Sequence, residues 1–290
     1  MALMETREQL HEQLQVIIDW ENDQKDLWFW EKLGRLPFAL LDKFTPRLIQ
    51  DKLGAALNEI GRFVQTGGDY LTSQQEILHK LQQQSLAHAS LHAAQPESQE
   101  EERPAAAGMT LNQAAELPLK VMDQVADELA ASHVKLATVQ GAATGFGGLF
   151  TIAIDIPAML GLSLKVLQEI ALCYGYDPQE ARERIFIVKC LQFSSSDIVG
   201  KKAVLDELAE YESGGKQVQV MSQLQGWREV ITVYRDNFGL KKMFQLVPLA
   251  GSLFGAYMNR DALQQVAETG SMLYRKRRIM ERLHKLDAAP

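Results

Sequence analysis

The sequence predicts an all-α fold, a multi-helix bundle built around a central glycine-rich apolar helical hairpin. Apolar residues return at alternating steps of four and three, as in Leu160, Leu164, Leu167, Ala171 and Tyr174, which marks one face of a helix. Helix punctuation recurs between such stretches: Asp177-Pro178 as a start, Gly67-Gly68 and Gly175 as stops. Two uncharged runs, Leu136–Ile154 and Met243–Asn259, each carry a GxxxG step that lets another backbone approach closely.

The centre is the stretch from Leu136 to Tyr176. Between Lys135 and Lys165 its only charged residue is Asp155. A bilayer-spanning helix needs about 20 apolar residues, and Leu136–Ile154 approaches that length. Gln140, the threonines and the glycines make autonomous insertion marginal, and a carboxylate at mid-bilayer costs roughly 2.5–3.5 kcal/mol. Each interior glycine costs about 0.5–1 kcal/mol of helix stability, which close packing would offset. Gly141 and Gly145 form the GxxxG step, Gly148 continues the small-residue face, and Gly251 with Gly255 repeats the pattern downstream. These five glycines are therefore expected at helix–helix contacts, with the two glycine faces packed together. A buried helix in a bundle and a membrane-inserting segment both remain open.

Asp155-Ile156-Pro157 reads as the turn of the hairpin, with Asp155 near an N-cap and Pro157 early in the second helix. The alternative for Asp155 is an acid in apolar surroundings, able to take up a cation or a proton.

The chain has 290 residues, net charge −7 and 46% apolar content. That suits a globular protein rather than a polytopic membrane protein, and argues against general nucleic-acid binding. The start, MALMETREQLHEQL, is too polar for a secretory signal peptide. Cys173 and Cys190 show neither metal spacing nor a disulfide framework, which fits a reducing cytoplasm. No cofactor or metal is expected.

Along the chain, Leu10, Leu14, Ile17 and Ile18 mark a first helix that runs into an aromatic cluster of Trp20, Trp28 and Trp30. These rings suit either a core or a membrane interface. Pro46 opens a helical stretch to Thr66. The Gln/Ala-rich segment from Ser73 to Ala94 is helix-prone, and its His88 and His92 lack a third ligand nearby. The stretch from Gln95 to Gly108 is an acidic, proline-containing linker. Three regions follow: 1–68 with the tryptophans, 69–109 with the Gln/Ala helix and linker, and 110–290 as the helical core.

Within that core Pro118 resets a helix start, and Asp177-Pro178-Gln179-Glu180 resembles a capping box. Ser194-Ser195-Ser196-Asp197 lacks the context of a nucleophile and reads as a turn. The last helix, Arg260 to about Leu286, carries Arg275-Lys276-Arg277-Arg278. Such a block either makes salt bridges or docks on anionic lipid at about 1 kcal/mol per basic residue.

The run GAATGFGGLFTIAIDIPAMLGLSLKVLQEIALCYGYDPQE, followed by VPLAGSLFGAYMN and AETGSMLYRKRRI, resembles the EcsC family of bacterial proteins. The matched positions are Gly141, Gly145, Asp155, Pro157, Tyr174, Gly175, Asp177, Pro248, Gly251 and Gly255. Relative to that pattern, 69–109 looks like an insertion. The resemblance implies a mostly helical protein whose family name comes from association with an ABC transporter gene cluster, and implies no catalytic residues. The expected function is a non-enzymatic, cytoplasmic accessory protein at the inner face of the membrane. Its partners would be anionic lipid or a membrane protein such as a transporter, contacted through Trp20, Trp28 and Trp30 or the basic block. The alternative is a soluble helical protein holding a lipid or other hydrophobic ligand in its apolar core. A hydrolase using Asp155 or Asp177 has no readable nucleophile–base set behind it.

Overall fold

The computed structural model describes residues 5–24, 62–63, 72–92, 108–145, 148–196, 198–212 and 250–288. Among them are eight helices and no strand, so the fold is all-α. In chain order these are α1 (Arg7–Asp23), α2 (Gln74–His92), α3 (Leu111–Ala115), α4 (Leu119–Thr144), α5 (Gly148–Cys173), α6 (Ala181–Ser195), α7 (Ile198–Glu212) and α8 (Ala250–Ala288). Trp28, Trp30, residues 95–107 of the linker and the stretch from Val218 to Phe238 lie outside the described residues.

Three long helices form the centre. Helix α4 runs antiparallel to both α5 and α8, because Gln140 meets Asp155 and Gly141 meets Gly255, while Asp123 meets Tyr174 and Arg275. Helices α5 and α8 run parallel, with Asp155 beside Asn259 and Tyr174 beside Arg278. Their apolar faces fill the core with Met122, Val125, Leu129, Leu164, Leu167, Ile170, Leu263 and Leu273. Helix α1 lies against α8, and its Leu10 and Ile17 are fully buried. Helix α2 lies against α4 and α5 and inserts Ile77, Leu78 and Leu81. The Gln/Ala-rich segment is thus part of the packed core.

Local chemistry explains the helix ends. Thr6 and Thr110 start α1 and α3 with reciprocal capping boxes to Gln9 and Gln113. Gly175, at φ 77°, closes α5: Tyr176 donates to Ala171 and Gly175 to Leu172 in a Schellman turn. A side chain at Gly175 would also strike Ala115, so conformation and space both call for glycine there.

Three expectations are corrected. The hairpin does not turn at Asp155 and Pro157: α4 ends at Thr144, α5 begins at Gly148, and Pro157 lies inside α5. The real reversal falls between Gly145, which caps α4, and Gly148, which opens α5. An interior proline costs about 3 kcal/mol. Burying Met159, Leu160, Leu162 and Leu164 contributes roughly 1.5–3 kcal/mol each, so the helix runs through the proline. Secondly, α8 is one 39-residue helix that carries both the second glycine step and the basic block. Thirdly, α6 starts at Ala181 without a side-chain cap, because the Asp177 carboxylate accepts from the Gln179 amide in a turn of its own.

Candidate functional site

The two glycine-bearing runs meet at one end of the bundle. Gly141 of α4 lies directly against the backbone of Gly255 in α8: a Cβ on Gly141 would sit 2.6 Å from the Gly255 carbonyl carbon and 2.9 Å from the Asn259 Cβ. Ser252 Oγ donates to the Ala142 carbonyl at 2.9 Å and fixes the same crossing. Gly145 caps α4 with its amide on the Gly141 carbonyl at 3.0 Å, and Gly148 opens α5. Gly251 belongs to the first turn of α8.

Below that crossing lies Asp155, fully buried. Its carboxylate accepts from Gln140 Nε2 at 2.8 Å and from Asn259 Nδ2 at 2.9 and 3.1 Å. The cluster therefore ties α4, α5 and α8 together beside the close approach of Gly141 to Gly255. Asn259 Oδ1 is buried beside it without a hydrogen-bond partner. The sequence marked Asp155 but not its amide donors. Asn259 was findable only as the residue one turn beyond Gly255, the same turn that brings it to the crossing.

Midway along the bundle Glu169 is buried between His133 Nε2 at 2.6 Å and Lys165 Nζ at 2.7 Å. Burial alone would raise the Glu169 carboxyl, but the hydrogen bonds and charges of His133 and Lys165 outweigh it and hold the pKa below the usual carboxylate value. A lowered folded-state pKa contributes stability above the unfolded value, and that contribution disappears as pH falls through the folded pKa. Glu169→Gln is therefore expected to be less stable than wild type at neutral pH by about 1–3 kcal/mol. In chemical denaturation the gap should close as pH drops below about 4.5; a gap that persists in acid would contradict the assignment. Asp123 has the opposite sign, since desolvation raises its pKa despite Arg275 and Tyr174. Its burial disfavours the folded state more as pH rises.

The basic block faces inward. Arg275 pairs with Asp123 at 3.2 Å and Lys276 with Glu21 at 2.7 Å. Arg277 is clamped on Glu183 by two bonds of 2.8 Å. Arg278 donates through Nε and Nη2 to the Tyr174 carbonyl at 2.9 and 2.6 Å and pairs with Glu281, so it caps the C-terminus of α5. Arg282 does the same for α3 through the Ala115 carbonyl at 3.2 Å, donates also to the Leu117 carbonyl just beyond it, and pairs with Glu5. The expectation that Arg275, Lys276, Arg277 and Arg278 present a lipid-facing patch does not fit these contacts, because their charges are engaged between helices. Trp20 is likewise occupied: its Nε1 donates to Glu268 at 2.8 Å and its ring leans on Phe193.

What the uncharged end exposes is apolar. Leu136 and Val139 on α4 are 54% and 67% exposed, and Leu253 and Tyr257 on α8 are 78% and 63% exposed. Leu253 and Tyr257 lie on a stripe of α8 that continues through Arg260, Gln264 and Ala267. This stripe and α4 border a groove of about 880 Å³. Its floor is Ala130, Ala131, Val134, Ala267 and Met272. Asp127 and Glu268 lie toward one end of the groove, Lys135 and Arg260 toward the other, beside the apolar tip.

Little else offers chemistry. Both cysteines are buried, and burial pushes the Cys173 thiol far up, away from the thiolate a nucleophile needs. Among the described residues no group of His, Cys, Asp and Glu could hold a metal ion, and no helix is long and apolar enough to cross a membrane.

Comparison with known proteins places these features in a lineage. The model of the EcsC protein family matches residues 11–279. The uncharacterized protein YdbA of Bacillus subtilis (strain 168) is 53% identical over 283 residues, covering 98% of this chain and 97% of that protein. Protein EcsC of the same organism is 30% identical over 165 residues, covering 57% of this chain and 67% of its own length. No solved structure matches.

Proposed function

The chain belongs to the EcsC family, and within it we propose a non-enzymatic accessory protein that docks peripherally on the cytoplasmic membrane through the uncharged end of its bundle, in the service of a transporter or another envelope process. One observation carries the proposal. The uncharged ends of α4 and α8 sit side by side and leave Leu136, Val139, Leu253 and Tyr257 in solvent. Large exposed apolar side chains gathered at one place mark interaction sites. A tip of this size suits shallow insertion at the headgroup–acyl boundary rather than a span.

Leu253→Asp with Tyr257→Asp tests the proposal, because both side chains are exposed and their loss leaves the core intact. At roughly 1.5 kcal/mol per apolar side chain withdrawn from water, the pair is expected to weaken recovery on floated lipid vesicles by about two orders of magnitude. Wild type should also resist release from membranes by high salt. Wild type that fails to float, or a double variant that floats as well as wild type, would reject docking through this tip.

A second reading, a carrier of a lipid or other hydrophobic ligand, is favoured by the groove alone. Its volume lies within the range of small-molecule pockets, and its floor is apolar.

A further inference from the structure

We propose that Lys135 and Arg260 form a binding site for the phosphate of an anionic phospholipid, seated at the end of the α4–α8 groove that adjoins the apolar tip. The site rests on the docking proposal and names the lipid class that docking would select.

Three observations support it. First, both side chains are exposed, both line the groove, and neither has a hydrogen-bonded or ion-paired partner among the described residues. They differ in this from Arg275, Lys276, Arg277, Arg278 and Arg282, whose partners are acids or helix carbonyls of the same chain. Asp261, the acid next to Arg260 in sequence, accepts instead from Gln265 at 2.9 Å, one turn further along α8. Secondly, the acids of the groove are placed away from this end. Glu268 is held by Trp20, and Asp127 lies two turns from Lys135 on α4.

Thirdly, the two cations stand at the border of the apolar surface. Lys135 is the last charge before Leu136 and Val139, and Arg260 is the first after Leu253 and Tyr257. The second uncharged run is closed by basic residues at both edges, Lys242 and Arg260, and the first opens directly after Lys135. If the tip enters the acyl region, Lys135 and Arg260 come to lie at headgroup depth, where long basic side chains reach phosphate oxygens. Lining one groove from two helices, an ammonium and a guanidinium would supply a point charge and a fork of donors for one phosphate. A zwitterionic headgroup would set its own cation against them, so the preference is for a lipid with net negative charge.

The experiment is vesicle flotation of the full chain, using phosphatidylcholine alone and an equal mixture of phosphatidylcholine and phosphatidylglycerol. Wild type is expected to favour the mixed vesicles. Lys135→Gln with Arg260→Gln should weaken that binding by about 25-fold, the product of roughly fivefold for each basic residue at the surface. Its residual recovery on phosphatidylcholine should equal that of wild type. Lys285→Gln, a basic position at the far end of α8, should change neither. If wild type binds both vesicles equally, or the double variant keeps the preference, or Lys285→Gln costs as much, the phosphate site is wrong while tip docking stands. If wild type binds neither vesicle, the docking proposal fails and this one with it.

Discussion

Gly141→Ala is expected to be among the most damaging single changes in the chain, although it adds one methyl group to a helix and should help helix propensity. The new Cβ would lie 2.6 Å from the Gly255 carbonyl carbon and nearer still to its oxygen, and backbone cannot rotate out of the way as a side chain can. Helices α4 and α8 must therefore separate. Overpacking of this kind costs about 1–3 kcal/mol. Separation also draws Asn259 away from the Asp155 carboxylate, and a buried acceptor that loses its donor costs about 1–3 kcal/mol more. Urea denaturation should show a loss of about 2–6 kcal/mol in total. Gly161→Ala supplies the contrast. It lies in α5, and a Cβ there would meet nothing within 4 Å, so the same substitution should stabilise the protein by about 0.5–1 kcal/mol. Equal effects at the two positions would mean that Gly141 matters only through helix propensity and that the close crossing is not what holds this end together.

The contrast between the two glycines also shows what can be read from a sequence. GxxxG marks a face on which close approach is possible, and the chain does bring Gly141 against Gly255. It does not mark which glycine is at the contact. The helices themselves were legible, because an apolar period of 3.6 residues, sustained over several turns, places every apolar side chain on one buried face only if the backbone is helical. The turn was not. Asp-Ile-Pro is strong local punctuation, yet Asp155 and Pro157 sit inside α5, because burial of the following leucines outweighs the local penalty. The direction of the basic block was equally hidden. Its acids, Glu21, Asp123 and Glu183, come from α1, α4 and α6, and only the tertiary fold brings them to α8. Lys135 and Arg260 stood in the sequence merely as edges of uncharged runs, and their juxtaposition depends on the antiparallel packing of α4 on α8.

The second large effect is expected where α6 meets α8. Glu183 is buried and receives both Nη atoms of Arg277 at 2.8 Å, with the Tyr274 hydroxyl at 3.3 Å on the same carboxylate. The guanidinium is stacked over Tyr176 at 4.2 Å and over Phe186 at 4.3 Å. Burial would lower its pKa, but the Glu183 bonds and charge override that and push it further up, so Arg277 stays charged under all ordinary conditions. Removing one partner therefore strands the other. Glu183→Ala should leave a buried cation among aromatic faces and cost about 3–5 kcal/mol. Replacing both at once, as Glu183→Leu with Arg277→Met, removes the two desolvated charges together while keeping side-chain volume. A buried ion pair exchanged for apolar groups is often neutral or stabilising by about 1–4 kcal/mol. The double variant is therefore expected near or above wild-type stability, far from the sum of its single changes. Such non-additivity, measured as a double-mutant cycle in urea, separates a pair that orients α6 on α8 from two residues that act independently. A double variant as unstable as Glu183→Ala would show instead that the cation's stacking on Tyr176 and Phe186 is what the fold requires, with Glu183 incidental to it.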